Sequence, residues 1–111
     1  MRALIVTADD YGMHETVNAA VEECLAAGTV QATCVMVNMP AAADAGSLRE
    51  RFPRASVGIH WTLTQGRPVL PPTALRSLVR NDGEFHTCAE FRRRWRSGQI
   101  RHDEMYAELR A

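Results

Sequence analysis

Ala3-Leu4-Ile5-Val6-Thr7-Ala8-Asp9-Asp10 opens the chain with an essentially unbroken apolar run that ends on two adjacent carboxylates. A run without polar alternation predicts a strand covered on both faces, as in a parallel sheet. Working outward, Val17, Val21 and Leu25 recur at every fourth position between Glu15 and Ala27, with Ala20, Cys24 and Ala27 beside them. That is one apolar face of a helix, and Gly28 is placed to stop it. Ala32-Thr33-Cys34-Val35-Met36-Val37 predicts a second buried strand ending at Asn38. Pro40 can open a helix in which Ala41, Ala45, Leu48 and Phe52 face inward, with Pro53 ending it. Ser56 to Leu63 reads as the third strand. The fold class is therefore α/β, a parallel β-α-β-α-β unit whose helical connections are long enough for right-handed crossovers.

Beyond Gln65-Gly66-Arg67-Pro68 the pattern weakens. Pro68, Pro71 and Pro72 mark a loop, Asn81-Asp82-Gly83 a turn, and Phe91 and Trp95 punctuate an Arg-rich helix. A last amphipathic helix begins near Arg101, with Met105, Tyr106 and Leu109 on one side. With 46% hydrophobic and 23% charged residues, positions 1–111 have the composition of one globular domain. The 13 basic residues, all Arg, balance 13 acidic ones, so no global field draws the chain to nucleic acid or to an anionic membrane. The absence of Lys excludes Schiff-base chemistry. Cys24, Cys34 and Cys88 form no CxxC pair and support neither a zinc knuckle nor a disulfide framework; Cys24 and Cys34 read as small core hydrophobes. The opening apolar run is too short for a signal peptide and no stretch approaches a membrane span, so the expected compartment is the cytoplasm.

In parallel α/β architectures ligands bind at the C-terminal ends of the strands. Asp9 and Asp10 are expected to leave the first strand at that edge, Asn38 the second and His60 the third. A carboxylate and a neutral imidazole suit Zn²⁺ or a similar divalent ion, and a second carboxylate beside it can take a proton from water. The plain alternatives are turn chemistry or a helix start for the Asp pair, a hydrogen-bonded structural role for His60, and a helix cap for Asn38.

The blocks Thr7-Ala8-Asp9-Asp10-Tyr11-Gly12-Met13, Val17-Asn18, Met36-Val37-Asn38-Met39-Pro40 and Val57-Gly58-Ile59-His60-Trp61-Thr62-Leu63-Thr64-Gln65-Gly66-Arg67-Pro68 together resemble the YdjC-like carbohydrate deacetylases. The resemblance implies that the β-α-β-α-β unit is the first part of a distorted (β/α) barrel. It also implies metal-dependent removal of acetyl groups from an N-acetylated sugar or oligosaccharide. Carried over, Asp10 and His60 hold a divalent ion, Mg²⁺ or Zn²⁺, and Asp9 activates water, although adjacent carboxylates could exchange these roles. Asn38, Trp61 and Arg67 are the expected substrate contacts, with a loop ion pair the alternative for Arg67 and barrel packing for Trp61.

Such deacetylases are longer and carry a further ligand His in an HxH segment, so the chain reads as truncated at its C-terminus, and activity of these residues alone is doubtful. His86 and His102 lack the strand-end setting of a ligand and read as solvated. His14 either caps the first helix or faces the site. Three βα units cannot close a barrel, and the third strand is left with an open edge, which predicts self-association, in its simplest form a homodimer. Two other classes compete. A receiver-like signalling domain would need an Asp where this chain has His60 and a Lys it lacks. A catalytically inactive metal-binding remnant would bind an ion weakly.

Overall fold

The computed structural model describes residues 2–111. The chain folds as two compact units, the first ending at Trp61 and the second running from Thr62 to Ala111. In the first, β1 (Thr7–Tyr11), β2 (Ala32–Val35) and β3 (Ser56–Ile59) pair in the order β1-β2-β3, both pairings parallel. Helix α1 (Glu15–Ala26) makes the first crossover, and a 3-10 segment (Ala42–Ser47) leading into α2 (Leu48–Arg51) makes the second. Thr7 stands opposite Ala32, and Ala32 opposite Ser56, so all three strands run out at one edge.

The start of α1 settles His14: its ring accepts from the Thr16 amide, satisfying one of the donors a helix leaves over at its first turn. At the other end Gly28 takes φ +72°, and the Thr29 amide bonds back to the Cys24 carbonyl in a Schellman-type stop. The apolar stripe of α1 lands where its spacing predicts, with Val21 and Leu25 buried against Tyr11, Val35 and Leu48.

Two expectations need correction. The first strand does not begin at Ala3: Leu4 and Ile5 are 84% and 70% exposed, and pairing starts at Thr7. The reason is register. The turn after Gly28 delivers β2 opposite Thr7, and Val6 is met only through bonds to Gln31 and Ala32. Asp9 and Asp10 therefore lie inside β1 rather than leaving it, at a point where the register slips between Ala8 and Tyr11. The helix expected from Pro40 starts instead as the 3-10 segment, which contains Gly46, a poor helix former. Its inward residues are nevertheless those expected, with Ala41 and Leu48 buried and Ala45 and Phe52 packed beside the core.

The second unit holds a short 3-10 turn (Pro72–Ala74), α3 (Cys88–Arg96) and α4 (His102–Arg110) around Leu75, Leu78, Phe85 and Ile100. An antiparallel bridge between Val79 and Phe85 flanks the Asn81-Asp82-Gly83 turn, where Gly83 takes φ +81°. His86, expected in solvent, is 5% exposed, because that bridge carries it inward and its amide bonds the Leu78 carbonyl. His102 is exposed but stacks on Trp95 at 4.9 Å between ring centroids. On α4 Tyr106 faces out, while Glu108 is buried and accepts from the Val69 and Leu70 amides at 2.7 and 3.0 Å. Among the described residues no helix is long and apolar enough to cross a membrane.

Candidate active site

The end of β1 is a strained turn fixed from several sides. Asp10 has φ +67°, the left-handed region that Asp tolerates better than most residues and still at a cost. Its carbonyl accepts from the Met13 amide at 3.1 Å. Tyr11 turns inward and is fully buried; its hydroxyl donates to Glu22 at 2.7 Å, and Glu22 is also paired with Arg51. Burial first, then the Glu22 contact, pushes the Tyr11 phenol well above its ordinary range, so it stays protonated. The Tyr11 carbonyl accepts from the Met36 amide at 2.8 Å, which ties the turn to the end of β2. Gly12 follows at φ +96°, and a Cβ there would lie 3.1 Å from both the Ala42 Cα and the Met36 carbonyl oxygen. Only Gly fits.

His60 is the residue after β3, and its amide donates to the Val35 carbonyl at 2.8 Å. Its Nε2 lies 3.4 Å from the Asp10 Oδ1. Because β2 stands between β1 and β3, with neighbouring strands ~4.8 Å apart, the two side chains meet by leaning over the end of the middle strand. Both remain partly open to solvent, 33% for His60 and 45% for Asp10.

Asp9 is exposed on β1, and its charge acts on the Cys34 thiol of the neighbouring β2. Burial, followed by the Asp9 charge, raises the Cys34 pKa, which keeps the sulfur a donor. Cys34 is only partly buried and lies in the field of Asp9, not the plain core hydrophobe its strand setting suggests. Next to it the Thr33 hydroxyl donates to the Ala8 carbonyl at 2.9 Å. Asn18, on the buried face of α1, accepts from the Gly12 amide at 2.6 Å and donates to the Ala41 carbonyl and to Asp44, each at 3.0 Å.

A carboxylate oxygen and an imidazole nitrogen are hard and borderline donors of the kind divalent ions take. Two ligands bound at ~2.1 Å to one ion stand roughly 3 to 3.5 Å apart, so the Asp10–His60 separation fits a shared cation. Among the described residues no three His, Cys, Asp or Glu side chains converge as a ligand cluster, and the two stand as a pair.

Of the other residues singled out in the sequence, Asn38 sits in the turn after β2 with its Oδ1 shielded from solvent; it caps no helix, since the 3-10 segment takes Ala41 as its cap. Trp61 is 70% exposed. Arg67 belongs to the second unit, where its guanidinium donates to the Asp82 carbonyl at 3.1 Å and braces the Gly83 turn. Asn18 and Cys34 carry contacts that sequence reasoning assigned to neither. Asn18 left a signal, an amide set into the stripe Val17, Val21, Leu25; Cys34 left none, since a thiol in a strand reads as apolar.

The model for the YdjC-like protein family matches residues 3–111. A carbohydrate deacetylase of Geobacillus stearothermophilus is 40% identical over 108 residues, covering 97% of this chain and 42% of that protein. A carbohydrate deacetylase of Danio rerio is 36% identical over 108 residues, 97% of this chain and 34% of that protein. A crystal structure from Enterococcus faecalis V583, of a candidate cellobiose-phosphate cleavage protein, superposes with a TM-score of 0.82 at 30% identity, covering 95% of this chain and 40% of that one. The chain spans well under half the length of these relatives. With the family model matching nearly every residue and relatives of 36–40% identity covering 97% of it, the chain belongs to the YdjC-like protein family.

Proposed function

We propose that this chain forms the front part of a divalent-ion-dependent hydrolase, built on a distorted (β/α) barrel, that removes acetyl groups from N-acetylated carbohydrates. The observation that carries the reading is the 3.4 Å approach of Asp10 and His60 over the end of β2. The names of the relatives supply the substrate class: two are carbohydrate deacetylases, and a chitooligosaccharide deacetylase of Serratia marcescens is 36% identical over 97% of this chain.

Asp10 and His60 would hold the ion, Mg²⁺ or Zn²⁺. When bound, such an ion supplies Lewis acidity, lowering the pKa of water and polarising a carbonyl. Asp9 does the proton work. It is exposed to an incoming water. Asp9 takes a proton from water as the water oxygen adds to the acetamide carbon, and returns it to the nitrogen as the C–N bond breaks, giving acetate and the free amine. Trp61 offers an exposed indole face to a sugar ring, and Asn38, in the turn after the neighbouring strand β2, is proposed as a further contact through its amide nitrogen. Arg67, in the second unit, is proposed separately as a sugar contact.

In the protein bearing the whole family fold, Asp9→Asn should abolish acetate release and leave the content of bound ion largely unchanged. Asp10→Asn and His60→Ala should each lower that content. Unaltered ion content in both would reject the ligand assignment. Hydrolytic sites commonly use three protein ligands, and the pair offers two, so residues 1–111 alone are expected to release no acetate at any ion concentration.

A further inference from the structure

Asn18 is 3% exposed, on the apolar face of a helix whose other buried residues are Val21 and Leu25. An amide there is costly unless all its polar atoms are used, and its partners are not scattered. Its Oδ1 takes the Gly12 amide at 2.6 Å, and its Nδ2 holds the Ala41 carbonyl at 3.0 Å. The Ala41 amide in turn donates to the Gly12 carbonyl at 3.0 Å. Both polar groups of Gly12 are therefore gripped by one small network whose centre is Asn18, with Asp44 as its outer member.

Gly12 lies two residues after Asp10, whose left-handed backbone persists only where the surroundings over-determine it. The Met13 and Met36 amides fix the Asp10 and Tyr11 carbonyls, and Asn18 takes the N–H of the Tyr11–Gly12 peptide from its other side. We propose that Asn18 is a positioning residue for the Asp10–His60 pair, acting through the Gly12 amide. Without its Oδ1 the Gly12 N–H is buried and unsatisfied, the turn relaxes, and the Asp10 carboxylate swings away from the imidazole. The inference rests on the proposed function only in the second of its two readouts.

The first readout needs neither metal nor substrate: the ring ¹⁵N signals of His60 at one fixed pH, identified by their loss in His60→Ala. Asn18→Ala is expected to shift them from their wild-type positions. Leu25→Ala, a buried truncation on the same helix, should leave them unmoved when the two variants are compared at equal fraction folded. Unchanged His60 signals in a folded Asn18→Ala protein overturn the proposal, as does an equal change in Leu25→Ala.

Should Asn18→Ala not fold, the exchange Asn18→Asp with Asp44→Asn carries the test. It keeps an acceptor facing Gly12, where the proposal places the effect, and moves the donor to position 44 at the loss of the Ala41 bond, so it should retain the His60 signals; a folded exchange protein that loses them overturns the proposal. The second readout is the affinity of the protein for Zn²⁺ alone, which should fall by about tenfold or more in Asn18→Ala, the scale of outer-shell substitutions, and not in Leu25→Ala. A wild-type protein that binds no Zn²⁺ while its His60 signals still answer to Asn18→Ala would refute the metal reading and leave the positioning role standing.

Discussion

Single residues decide this protein at places where ordinary propensity fails. Gly12 is one: left-handed φ and two atoms at 3.1 Å from a hypothetical Cβ leave no room for a side chain. Gly12→Ala should lower unfolding free energy by about 2 to 4 kcal/mol through backbone strain and overpacking, read as a shift in the urea midpoint at constant slope. Glu108 is another, a buried carboxylate serving the amides of Val69 and Leu70. Glu108→Ala strands both donors and should cost about 2 to 4 kcal/mol, measured the same way, whereas Tyr106→Ala on the exposed side of the same helix should cost well under 1 kcal/mol. The sequence placed Tyr106 on the apolar side of this helix and gave no sign of Glu108. A helical stripe identifies apolar positions, but a carboxylate enters the interior when a neighbouring loop presents two bare amides, and nothing local to α4 announces that.

Among elements, the helices of the second unit respond to acid in two separate windows. Burial, reinforced by the charge of Arg94, holds the His86 imidazole below its ordinary 6.5. The folded state thus prefers the neutral ring, and its stability is intact above pH 6.5 and falls as pH drops through that value toward the lowered pKa, by at most about 1.4 kcal/mol per pH unit for one proton. Glu90, hydrogen-bonded by Arg93 and then Arg94 on α3, is held down at about 2. Its contribution is present above the usual carboxyl value near 4.5 and disappears as pH falls from there toward 2. Melting temperatures across pH should therefore show a shallow decline below 6.5 that His86→Leu removes, and a second decline below 4.5 that Glu90→Gln removes. Of the elements themselves, α1 was legible with its stop, Val17-Val21-Leu25 before Gly28, and β2 and β3 in their starts, although β2 ends at Val35 and β3 at Ile59, short of the expected Val37 and Leu63, because apolar composition continues past the last paired residue. The start of β1 was not, since Leu4 and Ile5 have strand composition but β2 offers them no partner.

At the scale of the molecule, the first unit ends in open edges. β1 and β3 each pair on one side among the described residues, and Leu4, Ile5, Val37, Ile59 and Trp61 all stand more than half exposed. Apolar surface beside unfilled strand edges favours association. Sedimentation of residues 1–111 should show dimers or larger species whose share grows with concentration, and Ile5→Lys combined with Ile59→Lys should return the chain to a monomer by placing charge on both edges.

The sequence by itself determined the class of fold, the parallel order of the strands and the family, because hydrophobic period, helix stops and short motifs are properties of neighbouring residues. It also named Asp10 and His60 together, since strand ends of a parallel sheet share an edge. Only the tertiary structure decided that the acidic pair sits within a slipped, left-handed stretch of β1 and that Asn18 clamps the turn. Those facts depend on register and on contacts between groups far apart along the chain, where a one-residue slip changes every partner.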